Sequence, residues 1–220
     1  MKKLVASLGC VAMFAAASAL ANDVGLINHL AGDVSYTSGK STDKAKPFMK
    51  VREGDRLNVA PGAQLRVVYF QNGRQESYTG PASFTAGAQQ STQQSGAQPQ
   101  VSTLPAGVPQ KISQTPELIQ IAKLGRSGGV TLRNVPGAVP ERLTPQQQAE
   151  VRQARQTYDQ LRQTAAADDI TPELYLYSVL QDHLLYTDMK VVVSEMQRRQ
   201  PANPDVAVMV EYVKVKTQSQ

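Results

Sequence analysis

The chain has 220 residues, of which 41% are apolar and 5% aromatic, and 23 Lys and Arg against 18 Asp and Glu give a formal charge of +5. That length allows one or two domains, and that apolar share excludes both a wholly disordered chain and a multi-span membrane protein. One cysteine and two histidines exclude a disulfide scaffold and a Cys-rich zinc site, and they restrict triad chemistry severely.

Residues 1–21 have the pattern of a secretory signal peptide. Lys2 and Lys3 precede the apolar run Leu4 to Ala17, and Ala19-Leu20-Ala21 supplies small residues for cleavage between Ala21 and Asn22. The run is shorter than the ~20 residues of a spanning helix, so a retained anchor is the weaker reading. Ser7-Leu8-Gly9-Cys10 resembles a lipoprotein signal only superficially, because the apolar run continues past Cys10. Without Lys2 and Lys3 the excess falls to 21 basic over 18 acidic residues, +3. So mild a charge without clustered basic and stacking side chains argues against nucleic acid as a partner. The expected location is the periplasm, with no integral span after cleavage.

From Asp23 to about Ala86, short apolar alternations are punctuated by turn residues. Strands are expected at Val24–Ile27, Gly32–Tyr36, Leu57–Val59, Gln64–Phe70, Arg74–Tyr78 and Ser83–Thr85. His29 is expected in a turn between the first two. Within Gln64–Phe70, Leu65, Val67 and Tyr69 fall on one face and Arg66, Val68 and Phe70 on the other. Asn72-Gly73 predicts a two-residue type I′ hairpin. Such spacing argues a small β-sandwich or barrel-like domain over residues 22–86.

Several of these residues carry a resemblance. Ala31-Gly32-Asp33-Val34, then Gly54-Asp55-Arg56-Leu57, then Gly62 to Gly73, then Gly80-Pro81-Ala82-Ser83 are similar to the turn and strand pattern of the FecR-type periplasmic domain. The resemblance covers about sixty residues. It implies a β-rich periplasmic module for contacts or signal relay, not for catalysis. The iron-transport regulators that name the family carry a cytoplasmic anti-sigma segment and a spanning helix ahead of this domain; here a cleavable signal stands there, which removes direct contact with a sigma factor.

Residues 87–115 are rich in Gln, Ser, Ala, Gly and Pro, a composition that reads as a flexible linker. Residues 116–143 form an expected connector, with a short helix Glu117–Leu124 closed by Gly125 and a strand near Val130 to Arg133. Residues 144–220 read as a helical domain. Thr115-Pro116, Thr144-Pro145 and Thr171-Pro172 each suggest a threonine N-cap with proline at the first helical position. Val151, Ala154, Tyr158, Leu161 and Ala165 make one apolar stripe. Further helices are expected at Pro172 to about Tyr186, at Met189–Arg199 capped by Thr187 or Asp188, and from Pro204 to about Lys214 capped by Asn203. Leu176 to Pro204 is similar to one tetratricopeptide unit, closing on Pro201-Ala202-Asn203-Pro204, although Met189 and Met196 stand where that repeat has small residues. The fold class is therefore α+β: a β-sandwich-like N-terminal domain, a linker and a C-terminal helical hairpin bundle.

No catalytic, cofactor-binding or metal-ligating constellation emerges. His29 and His183 lack metal spacing. Asp168-Asp169 could serve a glycosidase, but favourable charge at the following helix start explains them better. Ser127 beside Gly128-Gly129 lacks a base at readable spacing. Lys123, Arg126, Arg133 and Arg142 form a basic stretch interspersed with Glu117 and Glu141, which reads as a solvated surface more readily than as a polyanion site. The expected function is non-enzymatic: an exported cell-envelope binding or adaptor protein contacting another envelope protein or a cell-wall glycan, without cofactor. The alternatives are a peptidoglycan-acting enzyme or accessory subunit using Asp168 or Asp169, and a periplasmic signal-relay module for a membrane-bound regulator.

Overall fold

The structure, a computed structural model, describes residues 22–126 and 143–218. The expected signal peptide, Ser127, the Gly128-Gly129 turn, the strand to Arg133, and Arg133 and Arg142 lie outside the described residues. Ten strands come first: β1 (Asp23–Ala31), β2 (Val34–Ser38), β3 (Ser41–Lys44), β4 (Lys50–Arg52), β5 (Arg56–Val59), β6 (Gln64–Tyr69), β7 (Arg74–Thr79), β8 (Ala82–Ala86), β9 (Ser91–Gly96) and β10 (Gln100–Thr103). They pair antiparallel into two five-stranded sheets, β10-β7-β6-β1-β4 (sheet A) and β3-β2-β5-β8-β9 (sheet B). The six helices are α1 (Val108–Ile112), α2 (Thr115–Arg126), α3 (Pro145–Thr164), α4 (Thr171–Asp182), α5 (Tyr186–Arg199) and α6 (Pro204–Gln218).

Period-two alternation decides the layering. Ile27, Leu65, Val67 and Tyr69 point from sheet A into a core shared with Val34, Leu57, Val59 and Phe84 of sheet B. Their neighbours Leu26 and Val68 point the opposite way and join the helical core with Tyr177, Leu180 and Met209. At β1 and β6 sheet A is therefore buried on both faces and sits between sheet B and the helices, while the outer face of sheet B carries polar residues such as Ser83 and Asn58. β1 and β2, although consecutive, belong to different sheets.

The segment expected as a flexible linker is instead built into the fold. Residues 87–115 contribute β9, β10 and α1. A strand ladder is made by backbone groups, so a Gln/Ser-rich sequence can join a sheet whose neighbours supply the apolar core. Val108 and Ile112, both fully buried, then anchor α1. His29 lies within β1, not in a turn. The expected type I′ turn is also absent: β6 ends at Tyr69, residues 70–73 form the loop, and Gly73 alone takes positive φ (69°). Asn72 instead uses its side-chain oxygen to accept the Arg74 amide at 3.0 Å, a local Asx bond that replaces the left-handed conformation.

Among the helix starts, Thr144 forms a reciprocal capping box with Gln147, and Asn203 Oδ1 accepts the Asp205 and Val206 amides. Thr115 and Thr171 are not caps but the first residues of their helices. At α4 the capping role passes to Asp169, whose Oδ1 accepts the Thr171 amide at 2.9 Å. α5 begins at Tyr186, ahead of the expected Thr187 or Asp188 cap. Gly125 continues α2 rather than ending it; a Cβ there would stand 3.0 Å from the Tyr212 ring of α6.

Gly80 carries a specific packing demand, because a Cβ there would lie 1.8 Å from the Ala60 carbonyl oxygen. Gly80→Ala is expected to cost about 1–3 kcal/mol through overpacking, read as a lower thermal midpoint; an unchanged midpoint would contradict this close approach.

Candidate functional site

Where β10, β7 and β6 meet the C-terminal end of α3 and the start of α4, the surface opens into a cleft of about 380 Å³. Its floor includes Arg66, Gln75 and Asp169, and α3 contributes Leu161 and Thr164. Arg66 and Gln75 face outward from sheet A because they share the register of Val68 rather than that of Val67. A register shift between Ile27 and His29 turns both Asn28 and His29 toward the same junction, a common use of a bulge.

The loop between α3 and α4 brings in the acids, and its backbone is held by long cationic or amide side chains. Arg162 donates to the Ala166 and Asp169 carbonyls, Arg199 to that of Ala167 and Gln200 to that of Asp168. Arg162 and Arg199 are themselves fixed by Glu173, which is fully buried; Arg162 Nη1 reaches its two oxygens at 3.1 and 2.9 Å. Tyr158 also donates to Glu173 at 3.2 Å. On the exposed rim of this cluster, Arg198 and then Arg199 hold the Glu195 carboxyl down at about 2.

So presented, Asp168 and Asp169 both face Arg66. Arg66 Nη1 stands 3.6 Å from Asp169 Oδ1 and Nη2 stands 3.8 Å from Asp168 Oδ1, while Nε donates to Ser77 at 3.1 Å. Asp169 also accepts from the Thr171 amide and hydroxyl and from Gln75. Asn28 Nδ2 bridges Gln75 and Thr171. The arrangement is a tie between sheet A and the helical region, and the adjacent acids that could suggest hydrolysis are its acceptors. Asn28 Oδ1 and Arg66 Nη1 are buried and have no hydrogen-bond partner among the described residues.

His29 Nε2 approaches Asp168 Oδ2 at 3.3 Å without the geometry of a hydrogen bond. Burial holds its pKa below 6.5; Asp168 opposes this and Arg66 adds to it. The unfolded chain thus takes up a proton at His29 before the folded chain does. Below about pH 6.5 stability falls with falling pH until the folded imidazole also protonates. His29→Asn is expected to flatten that slope, checked by urea midpoints at about pH 5 and 7.5; an unchanged slope would show that His29 is not its source.

His183 closes α4 and lies 3.2 Å from Glu150 of α3. Among the described residues no group of three His, Cys, Asp or Glu side chains could hold a metal ion. Lys123 pairs with Asp205 at 2.8 Å. A second depression of about 290 Å³ near Lys50, Arg52 and Asp23 is likewise internally paired, with Lys50 and Arg52 at 3.8 and 3.6 Å from Asp23. Among the described residues no helix is long and apolar enough to cross a membrane.

The sequence pointed to Asp168, Asp169 and His29 separately, and the fold joins them. It did not point to Arg66, Asn28, Gln75 or Glu173. The one signal available was a polar residue on the second face of a strand whose other positions there, Val68 and Phe70, are apolar. Comparisons with family models, with curated proteins and with solved structures find no match.

Proposed function

We propose that this chain is an exported, non-enzymatic protein of the cell envelope that binds another envelope protein or a cell-wall glycan through the cleft between sheet A and the helices. The carrying observation is that Asp169, the acid lining the cleft, is committed to Arg66, Thr171 and Gln75, so the site offers a shaped contact surface rather than a free acid and base. The signal-like residues 1–21 support export to the periplasm. The resemblance of residues 24–86 to the FecR-type domain supports a contact role for the β part. Ser102 and Thr164 are both exposed on the rim, so Ser102→Lys with Thr164→Lys blocks the cleft at little cost to folding. A partner recovered from envelope extracts by the native chain and lost with this variant supports the reading. Recovery of no partner at native expression, or of the same partner by both, counts against it.

A second reading is favoured by the position of Asp169 on the cleft floor: a peptidoglycan-acting enzyme or its accessory subunit. Turnover of purified peptidoglycan by the native chain, abolished in Asp169→Asn with the fold intact, would establish that class instead.

A further inference from the structure

We infer that the free edge of β10 takes up an extended, uncharged polypeptide segment as an added strand, with α3 as the second wall; this rests on the cleft being a contact surface and names the occupant. Among the described residues four strands end the two sheets: β10 and β4 in sheet A, β3 and β9 in sheet B. Exposed edges are normally blunted by charge, bulges or cover. β3 carries Asp43 and Lys44, and β4 is three residues long with Lys50 and Arg52. β9 is bulged against β8, and Gln93 turns back onto the carbonyls of Ser95, Gly96 and Ala97. Among the described residues β10 has none of these devices. Its sequence is Gln-Val-Ser-Thr, its register with β7 runs without a shift, and all four residues are exposed, Val101 at 47%.

The cleft follows this edge. Gln100 and Ser102 share the register of Ser77 and Gln75, whereas Val101 pairs with Glu76 on the opposite face, yet all three line the cleft. It therefore opens onto the strand's edge rather than onto one face. The four residues of β10 span roughly 13 Å at about 3.3 Å each, room for a short extended segment bonded by its backbone. Opposite it stand Leu161 and Thr164, which suit small or β-branched side chains.

The charge pattern selects the occupant's chemistry. Arg66 and Asp169 are the charged groups among the lining residues, and they pair with each other; the remaining polar groups are hydroxyls and amides. A charged ligand gains no net counter-charge there. Among the described residues no aromatic side chain lines the cleft, so a sugar ring finds no stacking platform there. A neutral backbone, alternating donor and acceptor, fits both the edge and the lining, which is the physics of recognition by strand addition.

The test uses the full exported chain and an end-capped hexapeptide of alternating Val and Thr. Amide exchange at residues 100–103 is followed by NMR, beside a copy of the peptide N-methylated at alternate residues and a chito-oligosaccharide. The plain peptide is expected to slow exchange at β10. N-methylation is expected to weaken binding on the order of tenfold, the loss of about two net hydrogen bonds. Val101→Lys is expected to weaken it similarly, and Asn58→Lys on the far sheet to leave it unchanged. Equal binding of the two peptides, or protection elsewhere than β10, overturns strand addition. Chito-oligosaccharide binding that is lost in Ser102→Lys, with no effect of either peptide, overturns it too while leaving the cleft a contact surface.

Discussion

Replacing Glu173 with alanine is expected to cost about 3–5 kcal/mol of folding stability, the range for breaking one member out of a buried ionic cluster. The carboxylate is fully buried, and it receives Arg162, Arg199 and the Tyr158 hydroxyl. Its removal leaves Arg162 without a carboxylate partner among the described residues and Arg199 with Glu195 alone, and the two arginine side chains are only 14% and 13% exposed. The same two arginines hold the backbone of the loop bearing Asp168 and Asp169, so the variant should also loosen the tie to Arg66. Urea unfolding followed by far-ultraviolet circular dichroism gives the number. A loss below about 1 kcal/mol, the size of an exposed ion pair, would mean that the cluster is solvated and does not organise the loop.

Leu26→Ala and Ile27→Ala should each cost about 2–5 kcal/mol, as large-to-small changes at filled sites do. The two residues are adjacent in β1 and fully buried, but one belongs to the helical core and the other to the sandwich. In a sheet wetted on one face, one of the pair would be nearly silent. A cost at Ile27 without one at Leu26 would show that the helices do not cover sheet A.

The β part was legible in the sequence where alternation is strong. Leu65, Val67 and Tyr69 against Val68 and Phe70 gave both faces of β6, because each face has its own apolar environment. β3 was not legible: Ser41 to Lys44 is wholly exposed and is held by backbone pairing with β2, which leaves no apolar trace. β9 and β10 were hidden for the same reason, and their polar composition read as a linker. The helices from Pro145 onward followed from their apolar stripes and from real caps at Thr144 and Asn203. Val191-Val192-Val193 is helical despite its β-branched side chains because Val192 and Val193 are buried in the helical core, tertiary packing overriding propensity.

The junction was the least legible feature. Arg66 meets Asp168 and Asp169 across about a hundred residues of chain, brought together by the loop between α3 and α4 and the bonds of Thr171 and Asp169 to Asn28 and Gln75 of sheet A. Asp169 looked like a helix-start acid and is one, through its bond to the Thr171 amide. Its second role, accepting from Gln75, depends on the sheet and has no local signature.

Photo-crosslinking in intact cells addresses binding at the cleft without intermediaries. A photoreactive side chain placed at Thr103, exposed at the cleft, is compared with one at Asn58, exposed on the far face of sheet B. A discrete protein adduct at 103, absent at 58 and lost with Thr164→Lys, is the expected result. Adducts confined to 58, or none at 103 while the native chain degrades peptidoglycan, would contradict it.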